Sequence, residues 1–403
     1  MNDTLSMSQR QLNRLDVLHR VKRSEITQRA AAAILKVTDR TVRRRVARLA
    51  AEGPGSLIHG LRGRRSNNRL TEKEERAIGT LLQERYPDFG PTFAAEKLLE
   101  FHKIDRDPRT VRRIQVGLGL FSPRRVSAPA EYRTARVPRP SIGDLIQFDG
   151  SYHDWFEGRG GIIEACLLLA VDDATGAIMD ARFSAHEGVA PVMAFWLAYA
   201  GKRGIPRAVY LDRFSTYCMN MKVAAENPDT LTQFERAAKE VGMEVVHAKS
   251  PQAKGRVERK FRDLQDRLIK EMRLAGIVTT EDANAFLAKK FIPAFNRKFA
   301  RPPAKEGDQH RKPSKAEIGN VLPFIFCRRE SRVITNDFTI PYKTAKFQLL
   351  PTPRLAMRPK ERVDVHELPD GGIHLFVRGK QANFHPLNAR LKQAALQAET
   401  LTA

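Results

Sequence analysis

The order of apolar runs between residues 144 and 274 is the feature that most constrains the fold. Three runs have the composition of successive strands, and Asp173-Ala174-Thr175-Gly176 supplies the turn between the second and third. An apolar helix of about 13 residues follows, then strand, helix, strand and helix. The predicted strands are residues 144–151, 161–171, 177–185, 207–212 and 244–248, and the predicted helices are 189–201, 231–241 and 256–274.

Three strands, helix, strand, helix, strand, helix is the order of a ribonuclease-H-like α/β domain, which we predict for residues 141–300. In that fold the first and fourth strands are neighbours and the last helix packs beside them. Asp149 ends the first strand, Asp212 ends the fourth, and Glu258 lies near the start of the last helix. We therefore expect these three carboxylates to meet at one end of the sheet.

A cluster of three carboxylates indicates a metal site, because the charges repel one another unless cations neutralise them. Carboxylate oxygens are hard ligands that select Mg²⁺, with Mn²⁺ able to substitute. Two such ions, about 3.5 to 4 Å apart, support in-line displacement at phosphorus. Asp149, Asp212 and Glu258 are thus predicted to be both the catalytic residues and the ligands of two metal ions.

Each acid also has a plainer interpretation. Asp149 precedes Gly150-Ser151 and has the context of a turn residue, and a Glu beside Arg on a helix, as at Glu258, is commonplace. Asp212 ends an apolar strand, where burial of a carboxylate requires a partner or a metal. The rival acids are Asp144, Asp154, Asp172, Asp173 and Asp180; we interpret Asp172 and Asp173 as hairpin-turn residues and Asp154, with Glu157, as loop residues.

The charge of the chain predicts a polyanionic partner, most often nucleic acid. Its 403 residues contain 70 Lys and Arg against 46 Asp and Glu, a net charge of +24. The distribution is uneven: residues 1–140 contain 30 bases and 15 acids, residues 141–250 contain 10 and 15, and residues 251–403 contain 30 and 16. An acidic centre between basic flanks fits a metal-binding domain that acts on DNA.

Two segments in the first 122 residues are typical of helix-turn-helix modules. Val42, Val46 and Leu49 recur at helical spacing after a short turn, on a helix rich in Arg. Alone, this pattern fits a solvated basic helix equally well. The word Thr41-Val42-Arg43-Arg44 returns as Thr110-Val111-Arg112-Arg113, which favours two tandem DNA-binding modules, at residues 1–60 and 71–122.

The remaining segments are linkers, a small barrel and a tail. Residues 61–70 form a basic linker that either enters a minor groove or is a disordered tether, and residues 123–140 form a Pro and Arg rich linker. After a linker at 301–325, strands at 332–340, 347–350, 362–366 and 373–377 predict a small β-barrel over residues 326–386. Residues 387–403 are predicted to be a tail containing a loosely held helix.

The residues expected to contact double-stranded DNA are basic or hydroxyl side chains on the predicted recognition helices, in the basic linker and around the acids. They are Arg40, Thr41, Arg43, Arg44, Arg62, Arg64, Arg65, Arg109, Thr110, Arg112, Arg113, Arg213, Lys254, Arg256, Arg259 and Lys260. Three scattered cysteines do not form a disulfide framework, and the start lacks a signal peptide. We expect a cytoplasmic protein.

Three motifs carry a resemblance to a known family. The stretches QFDGSYHDWFE (147–157), LTQF (231–234) and SPQAKGRVER (250–259) resemble the ISNCY-type insertion-sequence transposases of bacteria, which belong to the DDE or retroviral-integrase superfamily. The resemblance covers nearly the whole chain. It implies that Asp149, Asp212 and Glu258 are the DDE triad and that the N-terminal modules bind the terminal inverted repeats of the element.

The family's activity would be cleavage of the element ends and joining of the 3′-OH to target DNA, in a dimer or higher synaptic complex. The chain has no Walker phosphate loop, so an ATP-dependent helper would be a separate protein. Two departures stand out. Tyr210-Leu211-Asp212-Arg213 lacks the His that relatives tend to have after the Asp, and the first 140 residues contain no Cys, so the retroviral type of zinc-binding His-His-Cys-Cys module is absent. The alternatives are a catalytically silent DNA-binding regulator and a structure-specific nuclease.

Overall fold

The computed structural model describes residues 6–59, 70–123, 137–211, 227–247, 255–350, 352 and 355–387. The chain divides into two compact units. Unit 1 comprises Met1–Asp88 and Arg106–Ser122, and unit 2 comprises Phe89–Asp105 and Pro123–Ala403.

Unit 1 is entirely helical in its described residues. Its helices are α1 (Gln9–Lys22), α2 (Gln28–Leu35), α3 (Asp39–Glu52), α4 (Glu72–Arg85) and α6 (Pro108–Gly117), whereas α5 (Pro91–His102) belongs to unit 2. The Thr38 hydroxyl accepts a hydrogen bond from the Thr41 N–H and so begins α3, as the sequence indicates. Val42 and Leu49 of α3 are buried with Leu18 of α1. The predicted basic helices at α3 and α6 are therefore present.

The centre of unit 2 is a five-stranded mixed sheet in the order β3-β2-β1-β4-β5. The strands are β1 (Ile146–His153), β2 (Ala165–Asp172), β3 (Ile178–Ser184), β4 (Ala208–Leu211) and β5 (Glu244–His247). β1, β2 and β3 pair antiparallel, and β1, β4 and β5 pair parallel. The predicted order of strands, and the adjacency of the first and fourth, are confirmed.

Helices cover both faces of this sheet. The helices α7 (Val189–Lys202) and α8 (Asn227–Glu240) share one core with Ile146 and Phe148 of β1. The helix α9 (Gly255–Leu274) packs on the other face, where the predicted stripe of Val257, Phe261 and Leu264 is buried. Because side chains alternate along a strand, β1 directs its odd-numbered residues towards the face that α9 covers.

Shorter helices and a second sheet complete unit 2. The helices are α10 (Thr280–Phe286), continued by a π turn (Leu287–Phe291) into α11 (Ile292–Phe299), then α12 (Lys315–Asn320) and α13 (Leu322–Ile325). The second sheet has the order β6-β9-β10-β11-β8-β7, and its edge strands β6 and β7 contact each other. Its strands are β6 (Arg328–Val333), β7 (Thr339–Tyr342), β8 (Ala345–Leu350), β9 (Arg362–Glu367), β10 (Ile373–Val377) and β11 (Lys380–Pro386).

The prediction of one strand over residues 332–340 is wrong. The segment contains the end of β6, a turn and the start of β7. The Thr335 hydroxyl donates to the Thr339 carbonyl at 2.7 Å, and Phe338 closes the turn with a φ of 57°. The predicted tail helix lies mostly outside the described residues, which end at Leu387.

Among the described residues, no helix is both long enough and apolar enough to cross a membrane. Cys166 and Cys327 are buried free thiols, and burial raises the pKa of the Cys327 thiol. Cys218 lies outside the described residues.

The helix α5 (Pro91–His102) packs against α9 within unit 2. Arg267 of α9 donates two hydrogen bonds to the Glu96 carboxylate, at 2.8 and 3.0 Å. Its guanidinium carbon also lies 4.7 Å from the ring centroid of Phe93 and 4.9 Å from that of Phe299. A second ion pair joins Lys97 to Glu271 at 2.6 Å. The planar fork of Arg267 thus binds a carboxylate and stacks on two rings at once.

Replacing Arg267 with Ala should loosen α5 from the core. Loss of charge-assisted hydrogen bonds of this kind costs about 1.5 to 3 kcal/mol, which raises the local opening equilibrium about 10- to 150-fold. Phe93 is buried, so the rate of chymotrypsin cleavage at Phe93 measures that opening. Arg262→Ala, at an exposed position on the same helix, is the control; equal cleavage rates in the two variants would contradict the assigned role.

Candidate active site

The predicted site lies where β1 meets the first turn of α9. Gln147 and Asp149 are two residues apart on β1 and share one face of the strand. The Gln147 Oε1 atom accepts a hydrogen bond of 3.2 Å from the backbone N–H of Val257. This bond holds the first turn of α9 against β1, so Glu258, the next residue, begins beside the strand that carries Asp149. The Glu258 side chain is exposed and that of Asp149 is partly buried.

The third predicted acid, Asp212, lies outside the described residues. The strand before it is described: β4 ends at Leu211 and pairs parallel with β1, with Tyr210 opposite Gln147. Asp149 and Asp212 each follow this pair by two residues in the sequence.

The chemistry of the two described acids fits Mg²⁺ or Mn²⁺, because both supply hard carboxylate oxygens. Within the described ranges, which omit Asp212, no group of three or more His, Cys, Asp or Glu side chains is close enough to hold a metal.

A buried polar cluster supports the junction from below. Asp173 Oδ1 accepts a hydrogen bond from Gln147 Nε2 at 2.8 Å and lies 3.1 Å from Arg256 Nε. Asp173 Oδ2 accepts from the Arg139 N–H at 2.8 Å. Gln147 and Asp173 are fully buried. Asp173 is thus joined both to β1, through Gln147, and to the first turn of α9, through Arg256.

The interpretation of Asp172 and Asp173 as hairpin-turn residues is correct in position, and both are also fully buried. Asp172 accepts hydrogen bonds from the Gly143 N–H, the Thr175 N–H and the Thr175 hydroxyl, at 3.0, 2.8 and 2.7 Å. These bonds join the turn to the segment before β1.

The other rival acids also have structural partners. Asp144 forms an ion pair with Arg207 at 3.6 Å, and Asp180 forms one with Lys202 at 3.2 Å. Asp154 accepts a hydrogen bond from the Gly158 N–H at 3.1 Å, as a loop residue would. Arg273 and Arg159 hold the pKa of the Glu157 carboxyl below its usual value through hydrogen bonds. These partners account for the rivals without a catalytic role.

One acid near the site, Glu187, escaped the sequence analysis. A Cβ added at Gly150 would lie 2.3 Å from Glu187 Oε2, so the Glu187 carboxylate lies against the backbone next to Asp149. The Glu187 N–H donates to the Tyr152 hydroxyl at 2.8 Å, and burial raises the pKa of Tyr152 to about 12. Burial, then the charges of Glu187 and Asp149, raise the pKa of the Cys166 thiol. No local pattern marks Glu187, because its neighbours in space come from β1 and β2.

Gln147 had a readable signal that was not used. It is a polar residue between the apolar Ile146 and Phe148, two positions from the predicted acid and on the same face. Its partners at residues 173 and 257 are distant in sequence, so only the fold identifies them.

The predicted DNA contacts on unit 1 lie on the surface. Arg40, Arg43 and Arg44 are exposed on α3, and Thr41 is half-buried with its hydroxyl 2.9 Å from that of Thr38. Arg43 Nε donates to Gln28 Oε1 at 3.3 Å.

On α6, Arg109, Arg112 and Arg113 are exposed and Thr110 is half-buried. Arg113 forms an ion pair with Glu75 at 3.3 Å, and the Arg112 guanidinium lies 5.6 Å from the Phe121 ring centroid. Arg62, Arg64, Arg65, Arg213 and Lys254 lie outside the described residues.

The three described bases next to Glu258 have different surroundings. The Arg256 guanidinium is bound to buried Asp173. Arg259 is exposed, and its Nε donates to the Gly255 carbonyl at 2.7 Å. The Lys260 ammonium lies 4.8 Å from the Phe295 ring centroid, and burial lowers its pKa.

Comparison with known proteins gives two sequence relatives whose names both contain the word transposase. No family model matches the chain. The chain is 37% identical over 376 residues to a Sinorhizobium fredii protein named "Putative transposase y4bF", covering 93% of this chain and 80% of that protein. It is 27% identical over 320 residues to the Streptococcus pneumoniae "Transposase for insertion sequence IS1202", covering 70% of this chain and 67% of that protein.

Two solved structures that resemble the chain come from retroviruses. The catalytic core domain of BIV integrase matches with a TM-score of 0.27 and 20% identity, covering 42% of this chain and 90% of that one. A simian T-cell lymphotropic virus intasome in complex with PP2A regulatory subunit B56 gamma matches with 0.33 and 13%, covering 71% and 98%. These TM-scores are below 0.5, so the family assignment rests on the sequence relatives.

Replacing Gln147 with Met should release the first turn of α9. The Val257 N–H and one Asp173 oxygen would each lose a buried partner, at a cost of about 1 to 3 kcal/mol. We expect amide hydrogen exchange at Val257 to accelerate about 5- to 150-fold. Thr175→Val removes two hydrogen bonds from the same polar region, to Asp172 and from the Ala177 N–H, neither of which involves α9, so it should leave exchange at Val257 unchanged. Exchange that is unaltered by Gln147→Met would show that the bond does not hold the helix.

Proposed function

This chain belongs to the transposase family, and on that premise we propose that it binds the terminal inverted repeats of a DNA element, cleaves the ends and joins the freed 3′-OH to target DNA. The observation that carries the proposal is the junction at which Gln147 ties α9 to β1. That junction brings the strand of Asp149, the helix of Glu258 and the neighbouring end of β4 to one region of the sheet.

In this proposal Asp149, Asp212 and Glu258 hold two Mg²⁺ ions, with Mn²⁺ able to substitute. Such ions, when bound, supply activation of an attacking oxygen and stabilisation of a leaving oxygen at phosphorus. The protein's own contribution is to fix three carboxylates on three elements. β1 and β4 are central strands of the sheet, and the residues that lead to the site, 146–148 and 208–211, are buried, so the strands before two of the three acids are rigid supports.

In this proposal the polar cluster positions Glu258. Gln147 and Asp173 hold Val257 and Arg256 in the first turn of α9, and so orient the turn that carries Glu258 without touching DNA. Glu258 itself is exposed and so is accessible to a metal ion and to a DNA strand. No covalent enzyme intermediate is part of the proposal, because water and then the DNA 3′-OH are the nucleophiles.

End recognition is assigned to the basic helices. Exposed Arg40, Arg43 and Arg44 on α3, and Arg109 and Arg112 on α6, have the position and charge that reading a DNA groove requires. Two DNA ends must be paired before joining, so we propose that the chain assembles on DNA as a dimer or larger complex.

Asp212→Asn tests the active-site assignment together with Asp149→Asn and Glu258→Gln. Loss of one ligand removes several kcal/mol of transition-state stabilisation, so each variant should cut end DNA at least about 100-fold more slowly in Mg²⁺. The measurement is formation of 3′-OH ends and strand-transfer joints from labelled end duplex. Binding of the same duplex in EDTA should be retained.

Glu164→Gln, which neutralises an exposed acid just before β2, is the control and should cut like the unaltered protein. Cleavage by Asp212→Asn at the unaltered rate would refute the assignment of the acids. An unaltered protein that binds end DNA but yields neither product would instead be a DNA-binding regulator.

Arg40→Ala tests the role of α3. Residues at the start of a recognition helix contact base edges, and losing one such contact costs about 1 to 3 kcal/mol of discrimination. We expect the ratio of affinities for end DNA and scrambled DNA to fall about 5- to 150-fold. Arg48→Ala, in the last turns of α3 where Arg48 pairs with Glu52, should leave that ratio unchanged. An equal loss on both DNAs for Arg40→Ala would mean that α3 does not read sequence.

A further inference from the structure

A cleft of about 590 Å³ lies on a flank of α9 within unit 2. Its walls come from four segments: residues 137–139 before β1, the β2–β3 turn at 174–176, the first half of α9, and residues 299–304 after α11. The ionisable side chains in its lining are five bases and one acid: Arg139, Arg256, Arg259, Lys260, Arg301 and Asp263.

Four of these five bases form no ion pair with any residue that the structure describes. Arg256 is bound to Asp173 and belongs to the structural cluster. Among the described residues, no carboxylate lies within ion-pair distance of Arg139, Arg259, Lys260 or Arg301, and three of these four are exposed. Lys260 is held over the Phe295 ring and is partly desolvated. A partly desolvated ammonium among exposed guanidinium groups favours an anionic ligand.

The cleft lies mostly on a different side of α9 from Glu258. With 3.6 residues per turn, Lys260 is about 200° around the helix from Glu258, Asp263 about 140° and Arg259 about 100°. The cleft is therefore a surface that begins near the candidate active site at Arg259 and continues away from it through Lys260. Arg139 and Arg301 extend it on segments that the motif around Glu258 does not include.

We propose that this cleft binds backbone phosphates of DNA that lead away from the bond that is cut. The proposal rests on the proposed DNA substrate and not on the three acids. Guanidinium groups bind phosphate oxygens through paired N–H donors, and cations on separate segments match a ligand that carries successive charges. The contacts would hold and orient the duplex without reading its sequence.

The test measures binding of a 30-base-pair end duplex in EDTA as a function of salt, for Arg259→Gln, Arg301→Gln and the double variant. One lost phosphate contact reduces the slope of log K against log salt by about 0.9 and weakens binding about fivefold at 0.15 M salt. In the double variant the decrease in this slope should be about twice that in either single variant. Lys289→Gln, at an exposed lysine outside the cleft, removes the same charge and should keep the slope of the unaltered protein.

Slopes equal to that of Lys289→Gln in all three cleft variants would overturn the proposal. A small anion as the true ligand is a separate outcome: inorganic phosphate at fixed ionic strength would then raise the melting temperature of the unaltered protein and not of the double variant, while duplex binding stayed equal. That result would also overturn it. Cleavage of the end duplex by the unaltered protein in Mg²⁺ tests the proposed function separately. If the unaltered protein cuts and the cleft variants keep its salt slope, only the cleft proposal is refuted.

Discussion

The hydrogen bonds of Gln147 are the interaction on which the candidate site depends. A buried amide that binds the Val257 N–H on one side and Asp173 on the other joins β1 to the first turn of α9. Apolar contacts alone would hold α9 against the sheet but would allow it to slide or rotate, because burial is not directional. A fully satisfied polar pair fixes one rotation of the helix, and that rotation decides where Glu258 lies.

The charges of unit 2 divide into those that hold the structure and those that remain for a ligand. Arg256 and Arg267 are bound to Asp173 and Glu96, and removing either partner would leave a buried or half-buried charge. Arg139, Arg259 and Arg301 are exposed. The sequence shows one basic stretch around Glu258. In the fold, Arg256 pairs with buried Asp173 and Lys260 lines the cleft, whereas Glu258 is exposed at the candidate metal site.

The order of strands and helices along the chain was predictable because strand and helix periodicities are local, and that order indicated the sheet topology. The apolar stripe of α9 was predictable for the same reason. The break at residues 334–338 was missed although Asn336-Asp337 is a turn signal, because apolar residues continue on both sides of it; the turn places Phe338 at a φ of 57°. Strand β11 was also missed: its apolar positions, Ala382, Phe384 and Pro386, alternate, but Ala and Pro are weak strand formers. The attachment of α5 to α9 and the neighbourhood of Glu187 arise from contacts between distant segments, which local pattern does not encode. Asp149, Asp212 and Glu258 could be chosen as a set only because the predicted topology placed them together.

The most direct test of the central claim is Mn²⁺ binding, followed by electron paramagnetic resonance, in the absence of DNA. If Asp149, Asp212 and Glu258 form one site, Asp149→Asn and Glu258→Gln should each weaken Mn²⁺ binding, and the double variant should be weakened by clearly less than the sum of the two free-energy changes. Strictly additive losses, or Mn²⁺ binding that is unaffected by either change, would contradict a shared site.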